Sequence, residues 1–194
     1  MTHVLYLHGF LSSPQSVKAQ ATKAWFETHR PDVTLHTPQL SNYPAKVKVQ
    51  LLDLLDSQPA IREGGLKVIG SSMGGFLATW LVESFGGKAV LINPAVAPYE
   101  LLKDFLGKHV NPYSGEEFEL VADDMQFLRD LDSSEIRQPE SYHVMLQTGD
   151  ETLDYREAEH KYKASALVVE EGGDHSFTTY ETHLPAVASF LLET

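Results

Sequence analysis

The chain has 194 residues, of which 42% are hydrophobic, a formal net charge of −12 at pH 7 and no cysteine. That length suits one domain with a substantial core, and the cysteine count excludes disulfides, thiolate metal sites and a cysteine nucleophile. The acidic charge argues against nucleic acid or an anionic membrane as partner, and with neither a membrane-length apolar run nor a signal-peptide pattern we expect a cytoplasmic protein.

The first predicted strand covers residues 3–7 and runs into His8-Gly9-Phe10. Its residues are apolar throughout, as expected of a strand that is covered on both faces. Ser12-Ser13-Pro14 then predicts the start of a helix at 14–30, with a serine as N-cap and proline at the first helical position. A second strand at 32–37 and a helix at 43–57 follow.

A G-x-S-x-G motif at residues 70–74 directly follows the third predicted strand, 66–70, and leads into a helix at 73–86. In this motif the serine occupies a sharp strand-to-helix turn, and the glycines remove side chains that would clash there. Three fixed positions can match by chance, but here the strand and the helix both stand where the motif requires them. The sequence therefore predicts Ser72 as a nucleophile.

A serine that attacks an acyl carbon needs two hydrogen-bond donors aimed at the oxyanion that develops. In hydrolase folds one donor is the backbone N–H of the residue after the nucleophile, here Met73. The other comes from the loop after an early strand, which points to the N–H of Phe10, with Gly9 allowing the loop to bend inward. The alternative for His8-Gly9 is an ordinary turn at the end of a strand.

A segment of about 45 residues, 97–141, separates the predicted strands 89–93 and 142–147. Loops of that length are usually functional, and this one would lie above the carboxyl edge of the sheet. We interpret it as a small helical lid, the alternative being a surface insertion without a role. Its acidic residues are interpreted as solvated faces, so no metal site is predicted.

Two polar residues follow the last two predicted strands in matching loops. Asp150 comes after strand 142–147, and His175 lies on a glycine-rich loop after strand 166–170. Because reactive groups gather at the carboxyl ends of parallel strands, Ser72, Asp150 and His175 are predicted to converge. Their order along the chain is that of serine hydrolases, with histidine as base and aspartate as its orienting acid.

Asp154 is the alternative acid, if Asp150 instead caps the helix predicted at 152–163. Asp174 is interpreted as a turn residue, because neighbouring loop residues usually point apart. The other histidines outside the first-strand loop are interpreted as surface or packing residues: His3, His29, His36, His109, His143, His160 and His183.

Strands and helices alternate along the whole chain, ending in a helix at 179–192. This alternation predicts an α/β fold with about six parallel strands and helices on both faces of the sheet. Residues 1–194 are predicted to form one domain, with 97–141 as the lid insertion.

The chain resembles a reduced α/β-hydrolase, and specifically the YqiA-type bacterial esterases. The resemblance rests on Leu7-His8-Gly9-Phe10 with Ser12-Ser13-Pro14, on Gly-Ser-Ser-Met-Gly-Gly at 70–75, on Asn93-Pro94-Ala95 and on Thr148-Gly149-Asp150-Glu151. It spans nearly the whole chain and implies hydrolysis of carboxylic esters or thioesters by a serine triad, without a cofactor, in the bacterial cytoplasm.

The expected function is hydrolysis of a small-molecule acyl ester through an acyl-enzyme intermediate. A thioesterase acting on acyl-coenzyme A would use the same residues, and a non-catalytic binding protein on this scaffold is the alternative from another class. No dinucleotide fingerprint, phosphate loop or H-E-x-x-H motif is present, so neither a cofactor nor a metal is predicted. The sequence makes no prediction of the oligomeric state.

Overall fold

In the computed structural model, which describes residues 2–193, six strands form one parallel sheet and two more form a separate antiparallel hairpin. The strands are β1 (Thr2–Leu7), β2 (Val33–His36), β3 (Leu66–Ser71), β4 (Gly87–Ile92), β5 (Gly107–Val110), β6 (Glu117–Leu120), β7 (Tyr142–Gln147) and β8 (Ala166–Glu170). The helices are α1 (Val17–His29), α2 (Pro44–Ser57), α3 (Met73–Phe85), α4 (Pro98–Leu101), α5 (Asp124–Arg129), α6 (Tyr155–Lys161) and α7 (Tyr180–Leu192).

Helices cover both faces of the main sheet, because successive side chains of each buried strand point to opposite faces. Leu5 and Leu7 of β1 pack on one side with α2, α3 and α6. Val4 and Tyr6 of the same strand pack on the other side with α1 and α7. The predicted α/β architecture with a six-stranded parallel sheet is confirmed.

In the strand order β2-β1-β3-β4-β7-β8, the first strand, β1, lies between β2 and β3 and not at an edge of the sheet. From β1 the chain moves outward to β2 and then returns to the other side of β1 to form β3. The direction of strand addition therefore reverses between β1 and β3, and ligands of open α/β sheets bind outside the carboxyl ends of the strands at such a point. The loops that carry Phe10 and Ser72 both leave the sheet there.

The first helix begins three residues later than the sequence predicts. Ser13 Oγ accepts a hydrogen bond from the backbone N–H of Gln15 at 2.9 Å, and the N–H of Ser16 bonds to the carbonyl of Ser13 at 3.0 Å. These bonds hold Pro14 in a turn, because the serine hydroxyl bonds to a nearby backbone N–H and so favours a turn over the hydrogen bonds of a helix. The predicted proline at the first helical position is therefore wrong, and α1 starts at Val17.

Segment 97–141 is less helical than predicted, because its middle forms the β5–β6 hairpin. In β6 the side chains of Phe118 and Leu120 are buried whereas Glu117 and Glu119 are exposed. That alternation has the period of a strand that is half buried. The ring of Phe118 packs edge-on against the ring of Phe10, with centroids 5.9 Å apart, so the hairpin covers the loop after β1.

Burial lowers the pKa of three histidines, namely His36 and the more deeply buried pair His8 and His143. His8 accepts the backbone N–H of Leu40 at Nε2 (3.0 Å), and burial lowers its pKa although its bond to the Gly9 carbonyl partly opposes this. Burial, followed by the nearby His183, lowers the pKa of His143, whose Nε2 has no hydrogen-bond partner in residues 2–193. Both therefore fold as neutral imidazoles.

The protein is expected to lose stability as the pH falls below about 6.5, the ordinary pKa of histidine. In that range the unfolded chain binds protons that the native His8 and His143 resist, so the free energy of unfolding decreases by at most about 1.4 kcal/mol per pH unit for each residue. Urea unfolding at pH 7.5 and 5.5 measures the loss. His143→Phe should reduce this loss of stability, whereas His160→Phe, at an exposed position, should not. An equal decrease in the free energy of unfolding between pH 7.5 and 5.5 in the wild type and in both variants would contradict the account.

Candidate active site

Ser72 stands on a strained turn between β3 and α3. Its backbone has φ 55° and ψ −119°, a conformation that non-glycine residues rarely adopt. A Cβ on Gly70 would lie 2.3 Å from the carbonyl oxygen of Gly74, and one on Gly74 would lie 2.0 Å from the carbonyl oxygen of Leu7. Both glycines of the motif are therefore required by the close approach of strand and helix.

Asp150, His175 and Ser72 form one hydrogen-bonded chain across the carboxyl edge of the sheet. His175 Nε2 lies 3.0 Å from Ser72 Oγ, and its Nδ1 lies 2.8 Å from Asp150 Oδ2 and 3.0 Å from Oδ1. When Nδ1 carries the proton and donates it to the carboxylate, Nε2 is free to accept the proton of the serine hydroxyl. The structure thus brings together the three side chains that the sequence singled out.

The carboxylate of Asp150 is held in its charged form although its side chain is only 1% exposed. Burial alone would raise the pKa of Asp150, but the hydrogen bond from His175 and those from the backbone N–H groups of Leu153 and Thr152 outweigh it and lower the pKa. The two backbone bonds, 2.8 and 2.9 Å long, also fix the carboxylate's orientation.

The alternative acid, Asp154, lies outside this chain of hydrogen bonds. Its side chain caps α6 by accepting the backbone N–H of Arg156 at 3.1 Å, and it forms an ion pair with the guanidinium of the same residue at 2.7 Å. Asp174 likewise closes a local turn, since Oδ1 accepts the backbone N–H of Ser176. Of the three aspartates, only Asp150 contacts His175 through its side chain.

The loop that carries His175 is tied to the sheet by buried amides. Asn93 follows β4 and donates from Nδ2 to the carbonyls of Asp174 (3.1 Å) and His175 (3.2 Å). Gln147 at the end of β7 accepts the N–H groups of Asp174 and Thr178 at Oε1. These bonds hold the imidazole in place, so Asn93 and Gln147 are positioning residues.

Glu151 adds a third tie to the same loop, because its Oε2 accepts the backbone N–H of His175 at 2.9 Å. Sequence reasoning gave no positioning role to Asn93, Gln147 or Glu151. Asn93 directly follows β4, Gln147 ends β7, and Glu151 lies in the loop after β7. Their placement at the carboxyl ends of the strands is the signal that could have indicated them.

The two predicted oxyanion donors flank the serine. Within residues 2–193, neither the N–H of Phe10 nor that of Met73 donates to another group of the protein. Met73 is the first residue of α3, where backbone N–H groups have no helical partner. A Cβ on Gly9 would lie 3.3 Å from the Cβ of Ser72, so the loop before Phe10 passes directly beside Ser72.

Backbone strain is concentrated around this group of residues. Four non-glycine residues have positive φ angles within residues 2–193, and all belong to segments that meet at the site. Strain of this kind costs about 1–3 kcal/mol per residue and persists only where the surrounding structure imposes it. The four are Leu11 after the Phe10 turn, Ser72, Asn93 and Phe177 after His175.

A cavity of about 490 Å³ opens in front of Ser72 and His175. Its walls come from the loop after β1, from the first turn of α1 and from the His175 loop, and Tyr113 of segment 97–141 also lines it. Asn111 of the same segment donates to the carbonyl of Ser12 at 3.2 Å, which fastens the segment to the rim. The size is that of a small-molecule site.

No group of three or more side chains suited to a metal ion occurs within residues 2–193. Over the same residues, no helix has the length and hydropathy needed to cross a bilayer.

Comparison with known proteins places the chain in a defined family and fold. The sequence model of the family described as "Uncharacterised protein family (UPF0227)" matches residues 3–192. An esterase domain of a Rhodothermus marinus protein superposes with a TM-score of 0.70 at 14% identity, covering 97% of this chain and 85% of that one.

Est1E from Butyrivibrio proteoclasticus with bound ferulic acid has a TM-score of 0.67 at 16% identity, covering 100% of this chain and 89% of that one. Mouse alpha/beta hydrolase domain-containing protein 10 has a TM-score of 0.64 at 16% identity, covering 96% and 87%. At these identities the likeness establishes the fold, which is that of the α/β-hydrolases.

Proposed function

Because the chain belongs to the UPF0227 family and has the α/β-hydrolase fold, we propose that it is a serine esterase that cleaves small-molecule carboxylic esters. The observation that carries this proposal is the hydrogen-bonded chain from Asp150 through His175 to Ser72. That the similar Rhodothermus marinus structure is described as an esterase domain supports the same reaction class.

In the first half of the proposed reaction, Ser72 Oγ attacks the ester carbonyl while His175 Nε2 takes the hydroxyl proton. Asp150 keeps the histidine in the required tautomer and stabilises the imidazolium that forms. The free N–H groups of Phe10 and Met73 bind the oxyanion. The tetrahedral intermediate then collapses, the C–O bond to the alcohol breaks, and His175 gives its proton to the leaving oxygen.

In the second half, water replaces the alcohol. His175 removes a proton from the water, whose oxygen attacks the acyl carbon, and the same N–H groups bind the second oxyanion. Collapse of this intermediate releases the carboxylic acid, and the proton returns from His175 to Ser72 Oγ. The net reaction consumes one ester and one water, and it needs neither a metal nor a cofactor.

Segment 97–141 is proposed to act as a lid that limits what reaches the cavity, since Tyr113 lines the cavity and Phe118 packs on Phe10. A cytoplasmic location is also proposed, with which the absence of cysteine is compatible.

A panel of acetyl, butyryl and octanoyl esters, each with the matching thioester, tests the proposal. We expect the wild-type protein to hydrolyse at least the short esters, with saturation kinetics and no requirement for added metal. Faster turnover of the thioesters at equal acyl length would assign the same residues to a thioesterase. An absence of turnover across the panel would contradict catalysis.

A further inference from the structure

Lys18 stands beside the proposed triad and is not used by the mechanism. It lies in the first turn of α1 and lines the same cavity as Ser72 and His175. Its Nζ donates to the backbone carbonyl of Ser176, the residue after His175, at 2.7 Å. Lys18 is therefore fixed on the His175 side of the cavity.

The ammonium group of Lys18 has few partners in the protein for its charge and its N–H donors. For the described part of the chain, the Ser176 carbonyl is its single hydrogen-bond acceptor, and no carboxylate lies within 4.0 Å. Burial lowers the pKa of Lys18, and the more distant charges of Asp174 and Asp150 offset part of that effect. Because an ammonium carries three N–H donors, two remain for a ligand.

Neither acidic residue on the cavity wall forms an ion pair with Lys18. Glu151 is engaged with the backbone N–H of His175, and Glu181 is an exposed residue in the first turn of α7. Ser12 and Ser16 line the same cavity, and their hydroxyls form no hydrogen bond within residues 2–193. One cation and two free hydroxyls suit an anionic oxygen group.

The mechanism determines which part of the substrate lies there. In ester cleavage His175 must deliver its proton to the leaving oxygen, so the alcohol part of the substrate lies on the His175 side of Ser72. Lys18 is held to the carbonyl of the residue that follows His175. A charged group on the alcohol part would therefore come close to the ammonium.

Resting on the proposed esterase function, we propose that Lys18 is a specificity-determining residue that binds an anionic group on the alcohol part of the substrate. The preferred substrates are esters whose leaving group carries a carboxylate or similar oxyanion near the ester bond. The net charge of −12 gives no general attraction for anions, so this local cation supplies the selectivity.

The test compares two aryl acetates of nearly equal size, 3-acetoxybenzoate with a charged carboxylate and 3-acetoxybenzamide with a neutral amide in its place. After correction for their hydroxide-catalysed rates, the wild-type kcat/KM should favour the benzoate by about tenfold, the scale of one hydrogen bond to a charged group. Lys18→Met should abolish this preference, whereas Lys18→Arg should keep most of it. Lys23→Met, an exposed change on the same helix, is the matched control and should keep all of it.

Two results would overturn the proposal. One is a wild-type enzyme with no preference for the charged ester. The other is an equal fall in kcat/KM for both esters in Lys18→Met, which would make Lys18 a tether for the His175 loop and nothing more.

A binding measurement separates this proposal from the esterase function. Calorimetry on Ser72→Ala should show 3-hydroxybenzoate binding about tenfold more tightly than 3-hydroxybenzamide, and Lys18→Met in the same background should remove the difference. Selective binding without any hydrolysis would contradict the esterase function alone, whereas hydrolysis without selective binding would contradict the role of Lys18 alone.

Discussion

Replacing Ser72 by alanine is expected to lower kcat for a short-chain ester by about 10⁶-fold, the scale of the loss when a serine hydrolase loses its nucleophile. Alanine removes only Oγ, which is hydrogen-bonded to His175 Nε2. The backbone of the turn is unchanged, and both residues bear the same strain at φ 55°. The free energy of unfolding should therefore stay within about 1 kcal/mol of wild type.

Ser71→Ala is the matched control, since it removes a hydroxyl from the preceding residue at the end of β3. That variant should retain most of the wild-type kcat. Steady-state kinetics and urea unfolding of both variants separate a chemical from a structural effect. If Ser72→Ala kept more than a few per cent of wild-type turnover, Ser72 could not be the nucleophile.

Asp150→Asn should lower kcat by about 10⁴-fold while leaving the fold intact. Asparagine retains one oxygen, which can still accept the N–H groups of Thr152 and Leu153. Its amide would instead donate to His175 Nδ1, which favours the tautomer with the proton on Nε2. In that tautomer Nε2 cannot accept the proton of Ser72, and the imidazolium loses its counter-charge.

Asp154→Asn is the control, because asparagine caps a helix about as well as aspartate. Its kcat should remain within about twofold of wild type, and the loss of the ion pair with Arg156 should change the stability little at this exposed position. Parallel kcat measurements on the two variants decide between the carboxylates. A large loss in Asp154→Asn with little change in Asp150→Asn would reassign the acid.

The six-stranded parallel sheet was predictable because apolar runs and helical segments alternate along the chain and turn signals separate them. The Ser72 motif was predictable because a side chain at either glycine would clash with the backbone. A Cβ on Gly74, for example, would lie 2.0 Å from the carbonyl oxygen of Leu7. The convergence of Asp150 and His175, on the loops after β7 and β8, was predictable because reactive groups of parallel sheets collect at the carboxyl ends of the strands.

Features that depend on distant contacts were not predictable from these patterns. Lys18 reaches the carbonyl of Ser176 across 158 positions of sequence, so no local pattern records that contact. The start of α1 was misplaced because Ser13 closes a turn that competes with helix formation. The β5–β6 hairpin was missed although Glu117–Leu120 alternates with period two, because four residues make a weak signal inside a long segment.

Labelling with a fluorophosphonate tests the nucleophile directly, because the reagent phosphonylates an activated serine and needs no knowledge of the substrate. We expect one adduct per chain by intact mass, located by peptide mapping on Ser72. Labelling should disappear in Ser72→Ala and on prior denaturation, and it should be slowed strongly in Asp150→Asn. A folded wild-type protein that takes up no label, or takes it up on another residue, would contradict the proposal that Ser72 is the nucleophile of this enzyme.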